Sequence, residues 1–522
     1  MNKKLLFLLL SVALSYGLSA SLYAQKNKTA TTNTRGLWLY DDATQLWHTT
    51  NNAAGLGRDT SFARGVADFS FQHKGGSFHR VQEGNRHNAL SFSAERFQPI
   101  GKYLHAYGRF DFDMGRVQNR AWSDVLRTYN SNPYISGSPI AGRYDWQNFA
   151  FDARLGTVAL GKWTYGLGLK YQVGDFSRLR DPRSRINLLD YQITPAITFA
   201  TNAHHTFGLA AYYHRRKEKL PNISTVQSDA NLFYYELTGL ENATGSAGGY
   251  NGFQREWVDH EFGFDLSNDY RKGSYRRLTT LSMAHGTEHV YEAYKAEPGR
   301  YYTYTYGLNN KHIWETPARL QTLEANVSYE QGYADEFRQQ QVLTTDSLTK
   351  VTSRRYETLI TFKKRYQVHL FDATLHYRYH WMSKQGVASY LGGQASYNSA
   401  RNKHLLNEST LQYARLNLQL EAGKAFLQHR LWVEGYAGYN AALGVKQSLA
   451  DATTAYAKAV LLPDLRYHRS SYGFAHLQAT FQFPLTIKGE RLQWFTRAQA
   501  DYLRTNKHTD GYTLGLSIGI IN

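Results

Sequence analysis

Trp163-Thr164-Tyr165-Gly166-Leu167-Gly168-Leu169-Lys170-Tyr171-Gln172-Val173 is the stretch on which the fold turns. Bulky apolar and aromatic residues occupy every odd position, and small or polar ones every even position. In a strand these two sets point to opposite faces. The same period returns at Leu375, Tyr377, Tyr379 and Trp381 against Thr374, His376, Arg378 and His380. It returns again at Leu416, Leu418, Leu420 and Ala422 against Asn417, Gln419, Glu421 and Gly423, and in a final segment from Tyr512 to Ile520. With 40 Tyr and only ten Pro, the composition suits strands as well.

A soluble sandwich would alternate in the same way, so three further features decide. Aromatic residues gather near segment ends on the apolar face (Trp163, Trp381, Trp494, Tyr502, Tyr512), as a membrane-interface girdle requires. The opposite face carries charge and glycine. Short and long connections also alternate along the chain. The short ones fall near 98–102, 161–162, 201–204, 269–273, 382–385, 425–428 and 485–489. The long ones fill about 115–146, 175–187, 217–255, 335–352, 399–410 and 441–469. After residue 24 no apolar run is long enough for a helical span, and lipid admits strands only in a closed barrel. The expected fold is all-β, an antiparallel transmembrane β-barrel of the outer membrane with short periplasmic turns and long extracellular loops. Segment starts between residues 62 and 511 give about 16–18 strands, or 14 if some segments merely extend hairpins beyond the bilayer. Residues 76–82 are a candidate extra short strand.

The N-terminus reads as an export signal. Lys3 and Lys4 precede the apolar run Leu5–Leu14, and small residues follow at Ser19, Ala20 and Ala24, with cleavage expected after Ala24. Removing those two lysines takes the net charge from +18 to +16. For an exported chain this excess points to outer-membrane lipid and lipopolysaccharide, to a negatively charged ligand, or to a general basic bias of the proteome, not to nucleic acid. The chain has no cysteine, which excludes disulfides and thiolate chemistry. The expected domains are a signal peptide (1–24), an N-terminal periplasmic or plug segment (25–61) and the barrel (62–522).

Asn52-Ala53-Ala54-Gly55-Leu56 resembles the N-terminal hatch of fatty-acid-type (FadL-like) channels, with Ala53 in place of that family's proline. A broader pattern runs through Gly76, Phe78, Arg80, Gln82 and Glu83, then Tyr107, Gly108, Phe110, Phe112 and Trp122. It resembles an uncharacterised outer-membrane β-barrel family of Bacteroidota, a domain of unknown function. That resemblance implies the architecture and no activity.

The face opposite the apolar one carries Arg109, Asp111, Asp113, Asp152, Arg154, Lys170, Glu261, Asp265, Glu324, Arg378, Glu421, Glu434, Arg497 and Asp501. These are the lumen-facing candidates. They line a pore that tunes selectivity, or they pair to fill the interior. Basic clusters at Arg178, Arg180, Arg183 and Arg185, at Arg215, Arg216, Lys217 and Lys219, and at Lys363, Lys364 and Arg365 fall near the expected outer rim, where lipopolysaccharide phosphates lie. The pairs His376/His380 and His285/His289 lie about 13 Å apart in a strand, too far to share a metal. His468-Arg469-Ser470 has the His-x-Ser spacing of outer-membrane phospholipases but lacks the third residue of such a site. No catalytic, cofactor or metal site is therefore expected. The expected function is a pore or uptake channel, with an occluded barrel acting as a loop-based binding or assembly platform as the alternative. The expected protein partners are the barrel assembly machinery and a TonB-dependent transporter or other envelope protein.

Overall fold

The computed structural model describes residues 35–59, 63–129, 131–226, 232–247, 253–487 and 490–521. The expected signal peptide lies outside the described residues, as do residues 25–34. The wall begins with β1 (Arg64–Gly76), β2 (Arg86–Ile100), β3 (Leu104–Arg120), β4 (Gly142–Thr157), β5 (Trp163–Arg178) and β6 (Arg183–Ala200). It continues with β7 (His205–Leu220), β8 (Arg255–Lys272), β9 (Tyr275–Tyr291), β10 (Gly299–Thr316), β11 (Arg319–Thr345) and β12 (Thr352–Ser383). It ends with β13 (Gly386–His404), β14 (Ser409–Phe426), β15 (Leu431–Ser448), β16 (Tyr472–Ile487), β17 (Glu490–Thr505) and β18 (Asp510–Ile521).

Successive strands pair antiparallel, and β1 closes the sheet by pairing both β2 (Phe69↔Phe92) and β18 (Phe69↔Ile518). Among the described residues the sheet has nineteen members. One of them, Ile223–Ser224, only abuts the end of β6 at Arg183 and Ser184, which leaves eighteen wall strands. The wall therefore has the upper number of the expected range, not 14 or 16. The apolar face looks outward: Leu420, Leu516 and Phe262 are 73%, 65% and 63% exposed. An apolar band of this size around a closed sheet is suited to lipid and not to water. No helix among the described residues is long and apolar enough to cross a membrane.

Several long connections contract. The expected loop at 175–187 is the turn 179–182, that at 399–410 is 405–408, and 335–352 is mostly strand, with β11 running to Thr345. Ladder hydrogen bonds continue past the apolar band, where water no longer demands the alternation that marks a strand in sequence. Residues 77–85 form no additional strand.

The true long loops, 121–141, 221–254 and 449–471, all emerge at one end of the barrel. Their described parts pack together into a cap. Trp122, Val125, Tyr134, Tyr234, Leu237, Tyr456 and Val460 form one buried apolar cluster with Tyr144, Ile186, Trp257, Val290 and Tyr366 of the inner wall. A small sheet of Ser136–Gly137, Phe233–Gly239 and Asn242–Ala247 stiffens the cap.

Residues 35–59 lie inside the opposite, short-turn end. They comprise α1 (Arg35–Thr44) and two short 3-10 turns, Trp47–Thr49 and Ala53–Arg58. Their side chains reach nearly every sector of the wall: Trp38 packs with Phe495 and Ile521, Leu39 with Val387 and Trp432, and Leu46 and Trp47 with Leu278, Ile313 and Leu320. Ala53 and Leu56 meet Phe97, while Ala54 meets Ala196 and Ala210. The wall is cut away to receive them. A Cβ on Gly166 would sit 2.1 Å from the Ala54 nitrogen, and one on Gly156 would sit 2.4 Å from the Ala53 carbonyl oxygen.

Candidate functional site: a lumen closed at both ends

At the short-turn end the inner segment is tied down by polar groups that the wall strands aim inward. Asp59 is fully buried. It accepts backbone N–H bonds from Leu46 (3.1 Å), Trp47 (2.8 Å) and His48 (3.2 Å), and pairs with Arg276 of β9 at 2.9 Å. Arg276 also reaches Asp269 of β8 (3.1 Å), which pairs with Arg271 (3.0 Å) and accepts the Trp47 indole N–H (2.9 Å). Across the lumen, Arg35 pairs with Glu434 at 3.2 Å. In α1, burial pushes the Asp41 carboxyl up to about 6, against the pull of Arg64 at 3.5 Å.

At the long-loop end Arg127 enters between two wall glutamates, Glu218 (3.1 Å) and Glu288, while the Asn132 amide donates to Glu288 (2.6 Å). On the other side, the short helix α2 (Leu462–His468) presents Asp464 near Arg80. Burial raises Asp464 to about 7, although the Arg80 charge pulls it down and Glu83 pushes it up.

The lumen-facing candidates fall into two groups. Four bind the inner segment: Arg154 donates to the His48 and Thr50 carbonyls (3.1 and 3.0 Å), Lys170 donates to Asn51 (3.0 Å), Asp265 accepts from Asn51 (3.0 Å), and Glu434 holds Arg35. The others are engaged with wall neighbours: Arg109 with Asp111 (2.7 Å), Asp152 with Arg154 (2.7 Å), Arg378 with Glu421 (2.7 Å), and Asp113 with the Trp146 indole (3.0 Å). Glu261 lies 3.8 Å from His214, Glu324 accepts from Asn326 (3.1 Å), Asp501 bonds His476 (2.7 Å), and Arg497 lies over Phe495. Two cavities follow this inner surface. One, of about 270 Å³, is lined by Asp111, Asp152, Lys170, Asp190 and His214. The other, of about 220 Å³, is lined by Asp113, Trp146, Asn148 and Arg216.

Several sequence-marked clusters are rearranged. Arg178 is buried and donates to the Tyr144 hydroxyl (2.7 Å), and Arg216 turns inward to Asp190 (2.8 Å) and Glu218 (3.0 Å), so neither is a rim cation. Lys217 and Lys219 do face the rim, both 3.3 Å from Glu256, and Arg365 pairs with Glu336 at 3.1 Å. His468 stacks on Tyr413 at 3.9 Å, while the Ser470 hydroxyl donates to the Arg466 carbonyl (2.8 Å), so the two do not form a nucleophile–base pair. His376 bonds Glu421 (2.6 Å) and His380 bonds the Leu320 carbonyl (3.1 Å). No group of three potential ligands is placed to hold a metal among the described residues. Sequence reading missed Asp59, Asp269, Arg276, Arg127, Glu218 and Glu288. Most of their partners are distant in the chain (Asp269, near Arg271 and Arg276, is the exception), and alternation marks only which side of the wall a strand residue faces.

Residues 53–522 match the model of the Family of unknown function (DUF6850). The chain belongs to this family. The match begins at Ala53, so it includes the last turn of the inner segment as well as the wall. No curated protein matches the DUF6850 chain. Among solved structures, the outer membrane transporter YddB from Escherichia coli is 9% identical, with 89% of this chain and 81% of that one covered and a TM-score of 0.41. The FrpB iron transporter from Neisseria meningitidis is 9% identical, covering 91% and 83%, with a TM-score of 0.39. A FadL homologue from Pseudomonas aeruginosa is 10% identical, covering 94% and 98%, with a TM-score of 0.33. At such scores these likenesses carry no functional inference.

Proposed function

We propose that this DUF6850 protein is an outer-membrane uptake channel whose resting lumen is plugged from the periplasm by residues 35–59 and capped from outside by its own loops. The carrying observation is the inner segment. It is short, polar-anchored and seated on glycines cut into the wall, and it spans the lumen without covalent continuity to any strand but β1. The segment makes buried apolar contacts around the rim, but a segment serving only to fill the barrel would be expected to use these alone. This one is held by buried ion pairs as well, which cost desolvation but exchange for water once the segment moves. The short turns then face the periplasm and the long loops the medium, as transmembrane barrels generally orient them. Outer-leaflet lipopolysaccharide, the barrel assembly machinery and a TonB-dependent or other envelope partner belong to this reading.

Single-channel conductance of the refolded mature protein, with and without residues 35–59, tests it. Current that appears or rises steeply only on removal of the segment supports the plug. Ohmic conductance in both forms means a permanently open pore, and silence that persists when the capping loops 121–141, 221–254 and 449–471 are shortened as well refutes the channel. A second reading has one observation of its own. The ribbon formed by Gln339–Thr345 and Thr352–Thr358 stands beyond the last pairing of β12 with β13 (Tyr366↔His404), with Leu348 91% exposed at its tip. Such a projection suits an occluded barrel that binds partners through its loops. Deleting the ribbon without loss of partner binding would rule it out.

A further inference from the structure

We propose that the inner wall across β15 and β16 carries a track for a neutral polyhydroxylated ring, a sugar of one or two units. The inference deepens the uptake reading and rests on it only for the direction of travel.

Six aromatic rings succeed one another from the cap into the lumen. Tyr467 of α2 stacks on Phe78 (4.4 Å between centroids), Phe78 meets Tyr472 (5.4 Å), and Tyr472 meets Phe474 (6.2 Å). Phe474 then meets Tyr436 (6.1 Å), which stacks on His476 (4.7 Å). Tyr472, Phe474 and His476 sit at alternate positions of one strand, opposite the outward Leu477. They therefore lie on the inner face, where a plain barrel carries polar residues. None of the six belongs to the cap's apolar cluster, and all are half-buried. Their burial is thus incomplete where packing alone would make it complete. The wall also makes room for them: a Cβ on Gly438 would lie 2.6 Å from Phe474 Cζ.

A cavity of about 360 Å³ adjoins this track, lined by Tyr436, Phe474, Asn417, Gln419, Asp501 and His87 among others. That volume falls in the range of small-molecule sites, roughly 300–1,000 Å³. Asn417 Oδ1 and His87 Nε2 are buried with no hydrogen-bond partner among the described residues, so the fold leaves hydrogen-bonding capacity unused there. Buried polar atoms are normally satisfied, and their exceptions ask for a ligand or water. At the cavity Lys74 and Glu83 are of opposite sign and Asp501 is already bonded to His476, while the guanidiniums over Tyr467 and Tyr472, Arg80 and Arg415, are engaged with His468 Nε2 and with the Tyr467 and His468 carbonyls, so charge does not select an ion. Amide groups donate and accept at once, as hydroxyl groups do. Aromatic faces, electron-rich at their centres, suit the C–H face of a sugar ring. Apolar stacking with bidirectional hydrogen bonding and no net charge is the chemistry of a neutral sugar.

The test is calorimetric titration of the refolded full-length mature protein in detergent with maltose, cellobiose and sucrose, and with arginine and citrate as charged probes. At least one disaccharide should bind with a dissociation constant in or below the millimolar range (about −4 kcal/mol or stronger), and the charged probes should not compete. Tyr436→Ala and Asn417→Ala should each weaken binding at least tenfold, while Tyr436→Phe and the lipid-facing control Tyr439→Ala should not. If Tyr436→Ala fails to fold, Phe474→Leu takes its place. Binding by none of the three disaccharides, or binding untouched by the inner-face substitutions, overturns the proposal. The titration needs no current, so a failed channel and a failed sugar track are told apart.

Discussion

If residues 35–59 are a movable plug, Arg276→Met should loosen it by an amount the structure sets. Arg276 bridges Asp59 of the plug, at 2.9 Å, to Asp269 of the wall, at 3.1 Å. Methionine keeps much of the stem and removes the charge, leaving two buried carboxylates facing each other across the docking surface. Breaking a buried pair in this way costs about 3–5 kcal/mol. The lower end applies, because Asp59 keeps three backbone N–H bonds and Asp269 keeps Arg271 and the Trp47 indole. About 3 kcal/mol multiplies the undocked population roughly 150-fold, at 1.4 kcal/mol per factor of ten. The absence of native cysteine offers a clean reporter. Thr44→Cys, on the buried face of α1, should react with a maleimide only when the segment leaves its seat. In the Arg276→Met background the labelling rate should rise by about two orders of magnitude, and the open fraction in single-channel records should rise with it. A labelling rate unchanged to within about threefold would show that the ion-pair cluster does not hold the segment, and the reasoning would fail.

At the other end, Arg127→Met leaves Glu218 to Arg216 and Glu288 to the Asn132 amide, and should expose the 121–141 loop to added protease, while the wall keeps its folded, heat-modifiable migration on gels. The cap should also respond to pH through Asp464, whose carboxyl burial raises from 3.8 to about 7. A raised carboxyl pKa favours the packed cap below about 3.8 and loses that contribution as pH climbs towards 7. Proteolysis of loop 449–471 should therefore be slower at pH 5 than at pH 7.5, and Asp464→Asn should flatten the difference. Replacing residues 339–358 with a tight turn should leave barrel assembly unchanged and thermal stability nearly so, because the ribbon's ladder partners are its own two strands and its contacts beyond them include the Glu297 N–H bond to Gln339 and Arg354 over Tyr294, both at the 292–298 turn.

The wall was legible because lipid enforces a simple rule. Every second side chain from Trp163 to Val173 must be apolar, and no tertiary partner can change that. Beyond the apolar band the rule lapses, so Arg338 to Thr345 reads as loop while its backbone continues the ladder. The inner face obeys no such rule. Arg154, Lys170 and Asp265 carry the charge expected of a pore lining, yet each spends it on residues 48–51, more than a hundred positions away in sequence. Gly156 and Gly166 looked like ordinary small residues of the polar face, and only the seated segment explains them. Alternation alone could have separated Arg216 from its basic neighbours Arg215 and Lys217, since one of three consecutive strand residues must face the other way. The inward rings of Tyr436 and Phe474 broke the polar-inside pattern and were the strongest unread signal.

The two closures differ in kind, and the difference bears on how such a channel would cycle. The cap is mainly an apolar layer drawn from three loops, tied to the wall by Arg127, and opening it exposes Trp122, Tyr134, Tyr234 and Tyr456 to water, an area-proportional cost. The plug meets the wall through small apolar contacts spread around the rim and through ion pairs that water can replace. A solute moving along the aromatic track meets the cap at Tyr467 and Phe78 before it reaches the lumen. By covering those faces it can offset the loss of the Tyr467–Phe78 stack that opening the cap entails. No such exchange is available at the plug, where the Asp59 and Arg276 side chains are buried, 0% and 13% exposed. Entry would then be driven by the ligand, whereas exit would need an agent acting from the periplasmic side. Ligand binding that protects the cap from protease without changing maleimide labelling at Thr44→Cys is the expected signature. Equal changes at both ends would mean that the two closures move as one.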